Sequence, residues 1–199
     1  MNKLVLILSL ILAQLSSAQS IKWMTFDEAI KAQEKSPKKI LVDIYADWCG
    51  PCKIMASTTF THPEIVKLIN ENFYPVKFNA EGAETVHYKG VAFANPNFRK
   101  NTSGRNTIHE FTRFMGIYSY PTIAFFDAKQ DLITNLRGAL TAKEIEPYLT
   151  FIKDEVFNQY GAACFVAFII DIERTAPVGN VALINDGNAF GGNALTDSA

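Results

Sequence analysis

The chain has 199 residues, 48% of them hydrophobic and 20% charged. That is enough apolar material for a buried core and the wrong balance for a disordered tail. Nineteen basic and 20 acidic residues give a formal charge of −1, which argues against a nucleic-acid binder or a polybasic membrane-surface protein. Three cysteines are too few for a disulfide-dense mini-protein, and no apolar run reaches the roughly 18 residues of a spanning helix.

The N-terminus runs Met-Asn-Lys, then apolar from Leu4 to Leu15, then Ser16-Ser17-Ala18. A basic start, a short apolar stretch and a small-residue site predict a signal peptide over 1–18, cleaved after Ala18 to leave Gln19 first. An uncleaved anchor is the competing reading, but the run is short for about 30 Å of hydrocarbon. There is no twin-arginine pair, and no cysteine at the cleavage site to carry a lipid. The expected destination is the periplasm or the medium, with no stable membrane insertion after cleavage. Thiols tend to be oxidised there.

Thr25-Phe-Asp-Glu28 is a capping box, opening a helix that runs to about Ser36 and is closed by Pro37. Lys39 to Ala46 is short, apolar and rich in β-branched residues, which predicts a buried strand. Gly50 to Phe60 reads as a helix. Thr61-His62-Pro63 starts another, with the proline suited to a first turn. Phe73 to Asn79 is the next strand. Residues 81–106 form a Gly/Asn-rich insertion with a small hairpin expected around Tyr88-Lys89-Gly90-Val91. Asn106 is expected to cap a helix that Gly116 ends. Thr122 to Phe126 and Leu132 to Leu136 should pair as an antiparallel hairpin. Thr141-Ala-Lys-Glu144 is a second capping box, opening a helix to about Phe157 with Pro147 expected to kink it. This order predicts one mixed sheet covered by helices on both faces, an α/β fold over residues 19–160. Beyond Tyr160 the composition shifts, and 161–199 is a C-terminal extension of no assigned structure.

Trp48-Cys49-Gly50-Pro51-Cys52-Lys53 carries the chemistry. Two cysteines two residues apart across a helix start can close a disulfide with little backbone movement. Cys49 sits at the positive end of the helix, where a thiolate is stabilised and nucleophilic near neutral pH. Cys52 lies one turn inside, shielded, placed to attack a mixed disulfide on Cys49. Dithiol redox chemistry is the favoured reading. A permanent structural disulfide and a zinc half-site are the alternatives. Zinc needs two further ligands, and His62, His87, His109 and Cys164 are scattered. No metal or other cofactor is called for.

The run Val42 to Lys53 resembles the active-site strand and helix of thioredoxins. Its continuation, Thr58 to Val66, is closer to the C-terminal domain of DsbD and related thioredoxin-like proteins of Gram-negative envelopes. Tyr118-Ser-Tyr-Pro-Thr122 resembles the family's cis-proline loop, and Arg137-Gly-Ala139 its late glycine turn. The resemblance covers roughly residues 22–154 and implies a thioredoxin fold. It also implies that Cys49 attacks and Cys52 resolves. Pro121 follows a cis bond facing the disulfide, and the Tyr120 backbone pairs with extended substrate. Asp43 is the buried acid that takes a proton from Cys52, with Lys77 its partner on the neighbouring strand; the alternative for Asp43 is a merely structural strand acid. Trp48, Gly50 and Pro51 shape the substrate surface. Where thioredoxins carry a proline five residues after the second cysteine, this chain has Ser57. The insertion is longer than in plain thioredoxin, and either borders the site or is packed surface. Cys164 is the odd thiol, with a buried inert role expected and a partner-linked or regulatory thiol the alternative.

Two readings from different classes follow. In the first, the chain is an exported thiol–disulfide oxidoreductase, a reductase of disulfide-bearing exported proteins fed by a membrane thiol electron donor. The Gly-Pro pair resembles thioredoxin, at about −270 mV, rather than the oxidant DsbA at about −120 mV. In the second, the fold is a peptide-binding, chaperone or adaptor module of the envelope.

Overall fold

Reciprocal caps set where two of the helices start. The Thr25 hydroxyl accepts from the Glu28 N–H, and the Glu28 carboxylate accepts from the Thr25 N–H at 2.8 Å. The same box joins Thr141 and Glu144. In a computed structural model, which describes residues 19–100 and 104–154, these caps open helices α1 (Phe26–Lys35) and α5 (Ala142–Lys153). The expected signal peptide, the expected extension 161–199 with Cys164, and the expected last turn to Phe157 lie outside the described residues. α5 continues through Pro147. Its buried face of Ile145, Tyr148, Leu149 and Ile152 holds it on the sheet and offsets the hydrogen bond that proline cannot make.

Among the described residues, four strands form the central sheet: β1 (Lys39–Tyr45), β2 (Phe73–Asn79), β5 (Thr122–Phe126) and β6 (Leu132–Arg137). Their spatial order is β2-β1-β5-β6. β1 is parallel to β2 and antiparallel to β5, and β5 is antiparallel to β6. Met24 adds an isolated parallel bridge to Val76 at the β2 edge. All of β1 except Tyr45 is buried, as expected of a strand covered on both faces. Period-two alternation divides the strand between two cores. Leu41 packs with Met55, Ile65, Ile69, Phe125, Tyr148 and Leu149, under α2 (Gly50–Thr58), α3 (Pro63–Asn72) and α5. Ile40, Val42 and Ile44 pack on the opposite face with Phe26, Phe78 and Phe111.

The insertion contributes to that second core. Its small hairpin is present as β3 (Val86–Tyr88) and β4 (Val91–Phe93), antiparallel. The two-residue turn places Lys89 at φ 48° and Gly90 at φ 80°, both left-handed, as a twist-matched hairpin turn requires. Tyr88 packs on Phe26 and Phe111. The next helix corrects the sequence reading. α4 is one short helix, Glu110–Phe114, and its cap is His109, not Asn106. Asn106 is the right residue type in the wrong place: its side-chain oxygen accepts from the Arg99 and Thr107 N–H groups, and its amide donates to the Arg99 carbonyl. Gly116, at φ 66°, ends the segment as expected. α2 is unbroken through Ser57, whose hydroxyl donates to the Ile54 carbonyl.

Candidate redox site

β1 ends at Tyr45, and the chain turns into α2 through Ala46-Asp47-Trp48-Cys49. Cys49 is the N-cap of α2, and its Sγ accepts from the Cys52 N–H at 3.2 Å. The helix start thus presents an N–H to sulfur, the arrangement that favours a thiolate there when the bond is reduced. Gly50 and Pro51 fill the first turn and are exposed. A Cβ on Gly50 would meet nothing within 4 Å, so the space at this residue is open. Cys49 and Cys52 are joined as a disulfide.

One expectation changes here. Cys49 is 2% exposed and Cys52 6%, so in the disulfide form both are covered, not Cys52 alone. Ala46, Tyr45 and Tyr120 pack against the pair. The sequence pattern carries no sign of this cover, because Tyr120 arrives from the loop before β5, distant in the chain, and β5 lies beside β1. Tyr120 precedes Pro121 through a cis bond, as the resemblance implied. Its ring is edge-on to Trp48 at 6.0 Å. Its hydroxyl is buried and finds no hydrogen-bond partner among the described residues. Burial, with the Glu81 charge adding and Arg105 opposing, pushes the phenol up to about 12.

Asp43 lies on the sheet face that α2 covers, two residues from Leu41, and is 3% exposed. Register places it opposite Lys77, whose Nζ is 3.2 Å from the carboxylate. Burial pushes the Asp43 carboxyl above the ordinary carboxylate range, and the Lys77 charge only partly opposes it. The Lys77 ammonium also sits over the rings of Trp23, at 5.2 Å, and Tyr45, at 5.0 Å. Trp23 in turn meets Phe60 edge-on. Trp23 is marked by no motif, and Tyr45, though inside the run Val42 to Lys53, carries no role in the resemblance; both meet Lys77 only once the N-terminal segment and β1 lie beside β2.

The insertion borders the site. Trp48 is 38% exposed, and its indole N–H donates to Glu81 at 3.0 Å. The same Glu81 oxygen accepts from the Asn106 N–H at 2.6 Å. The Arg105 guanidinium lies 4.4 Å from the Trp48 ring centre. Trp48 is thus held between Tyr120 and Arg105. Glu81 and Arg105 come from a segment without periodicity or motif, so no residue pattern singles them out; Asn106 stands out in the sequence only as a helix cap, a role it does not have.

Comparison with known proteins places this geometry. Residues 26–153 match the model of the thioredoxin-like domain. The thiol:disulfide interchange protein DsbD of Haemophilus ducreyi is 28% identical over 114 residues, 56% of this chain and 16% of that protein's length. The chain therefore corresponds to about a sixth of that relative. Among solved structures, a thioredoxin-fold protein from Helicobacter pylori aligns with TM-score 0.53 at 16% identity, over 81% of this chain and 92% of that one. A thioredoxin from Thermus thermophilus aligns with TM-score 0.51 at 18% identity, over 73% and 92%. Both share the fold. With a matched family domain, a thioredoxin fold and a Cys49–Cys52 disulfide at a helix start, the chain belongs to the thioredoxin-like family of thiol–disulfide oxidoreductases.

Proposed function

We propose that the chain is an exported reductase of protein disulfides, with residues 1–18 as its signal peptide and residues 19–160 as its working domain. The observation that carries this reading is the Cys49–Cys52 disulfide at the N-terminus of α2, beside the Tyr120–Pro121 loop. In the reduced protein the Cys49 thiolate attacks one sulfur of a substrate disulfide. The other substrate sulfur leaves as a thiolate, and a mixed disulfide forms at Cys49. Cys52 then loses its proton to Asp43 and attacks the Cys49 sulfur. The Cys49–Cys52 bond forms, the substrate's second sulfur leaves as a thiolate, and two electrons have passed to the substrate. Lys77 keeps Asp43 in place and tempers its basicity.

Trp48, Gly50, Pro51 and the Tyr120 backbone form the surface on which an extended substrate segment lies. The reductive direction rests on the Gly-Pro pair, which resembles the low-potential thioredoxins. An exported reductase needs electrons from a membrane thiol carrier, and the likeness to DsbD supports a partner of that chemistry.

Reduction of insulin disulfides by the fully reduced protein tests the reading. Wild type should precipitate the insulin B chain. Cys49→Ser should lose at least about 10³-fold, the order seen when a reacting group is removed. A wild type that binds unfolded chains but leaves insulin intact would favour the peptide-binding module.

A further inference from the structure

The described end of the insertion carries charge of one sign. From Gly90 to His109 the chain has Arg99, Lys100 and Arg105 and no acid. All three are exposed. Named contacts bring Arg105 and the Arg99 backbone to the active-site rim; Lys100 follows Arg99 in the chain. Asn106 exchanges two hydrogen bonds with the Arg99 backbone, at 3.0 and 2.8 Å, and donates its own N–H to Glu81. Glu81 is bonded to Trp48, and the Arg105 guanidinium lies over the same indole, 4.4 Å from its centre. α2 itself bears one charged residue, the exposed Lys53. Of the acids nearby, Glu81 is buried with its oxygen taken by two donors, and Asp47 accepts from the Asn79 amide. None of Lys53, Arg99, Lys100 and Arg105 is in an ion pair among the described residues. A chain of formal charge −1 thus carries Arg105 beside Trp48, with Arg99 and Lys100 close by in the same basic stretch and Lys53 next to Cys52.

We propose that this basic rim is a partner-selecting surface, with Arg105 its central residue, and that it accepts an acidic polypeptide segment flanking the cystine to be reduced. This deepens the reductase reading and rests on it. A guanidinium stacked on an aromatic ring keeps its edge N–H groups free for a carboxylate, and its rotamer is already restricted by Trp48, so little order is lost on binding. Glu81 is a positioning residue here: it holds Trp48, and through Asn106 the Arg99 backbone, in the place where the rim is assembled. Charges at a rim act on encounter rate and partner choice more than on the chemical step.

The test uses two cystine peptides of equal length, one with glutamates and one with lysines beside the disulfide. Hydroxyethyl disulfide, which is small and neutral, is run in parallel. Reduced full-length protein is mixed with each, and the thiols are counted against time after acid quench. Wild type should reduce the acidic peptide faster. The acidic-to-basic rate ratio should fall roughly two- to fivefold in Arg105→Gln, the scale of one exposed charge pair, and should invert in Arg105→Glu combined with Arg99→Glu. Salt of about 0.5 M should flatten the preference, since it screens exposed charges within a few ångströms. A wild-type ratio near one, or a ratio unchanged in both variants, would overturn the proposal. So would an equal slowing of both peptides, which would make Arg105 only a clamp on Trp48. Failure to reduce the neutral disulfide would instead sink the redox reading beneath it.

Discussion

At Asp43 the energetics and the proposed chemistry pull against each other. The carboxyl is buried beneath α2 and its pKa is raised, by burial first and against the pull of Lys77. A raised value brings a carboxylate closer to the operating pH, which suits a proton acceptor. It also costs stability. The folded state holds its Asp43 proton to higher pH than the unfolded state, whose value is about 3.9. Stability from this group is therefore fully present below that value and lost as pH rises through the folded pKa. Asp43→Asn removes the ionisable group. It is expected to raise the unfolding midpoint of the oxidised protein at pH 7 and to flatten the fall in stability above about pH 4. In stopped-flow exchange the same variant should slow resolution of the mixed disulfide by about 10²-fold or more, the lower range for a general base, with a smaller effect on the first attack. Equal slowing of both steps, or a lower midpoint, would make Asp43 a structural residue. The residues of this site were unequally legible. Cys49, Cys52, Asp43 and Lys77 sit on regular elements in a recognisable order, and Pro121 precedes an apolar strand. Glu81, Arg105, Trp23 and Tyr45 acquire their contacts only through tertiary approach, which no local pattern encodes.

At the scale of elements, capping and period-two alternation made most of the fold legible. Both Thr-x-x-Glu boxes begin helices where the residues indicate, and β2 spans Phe73–Asn79 as expected. The start of α4 is not where the sequence pattern puts it, because its cap is a histidine. The His109 Nδ1 accepts from the Phe111 N–H at 3.0 Å, so Nε2 carries the proton and donates to the Glu84 carbonyl at 2.7 Å. The ring is fully buried and edge-on to Phe78. One imidazole thereby joins α4, β2 and the start of the insertion, a long-range role that a helix-start signal cannot convey. Burial lowers the pKa of His109. The unfolded chain then binds more protons than the folded one, so stability is present above about pH 6.5 and is lost as pH falls through the folded pKa. His109→Ala is expected to cost about 2–4 kcal/mol, combining a lost cap with an unpartnered carbonyl. It should also remove this acid-side slope from the stability curve. Chemical unfolding at a series of pH values measures both. A loss under about 0.5 kcal/mol, the range of ordinary surface changes, would contradict the linking role.

At the scale of the whole molecule, the sheet brings four separate stretches of chain to one end. β1 delivers Asp43 and the turn to Cys49, β2 delivers Lys77, the loop before β5 delivers Tyr120 and Pro121, and the insertion delivers Glu81 and Arg105. The order of events proposed on this frame requires the two cysteines to be unequal, although both are covered in the disulfide form. Inequality must come from position: Cys49 caps the helix and Cys52 lies a turn inside it. Trapping in the native envelope measures this most directly. Cys52→Ser leaves Cys49 able to attack but removes the resolving thiol, so mixed disulfides with partner proteins should persist on non-reducing gels and collapse with dithiothreitol. Cys49→Ser should trap little. Equal trapping by both variants, or none by either, would contradict exchange led by Cys49.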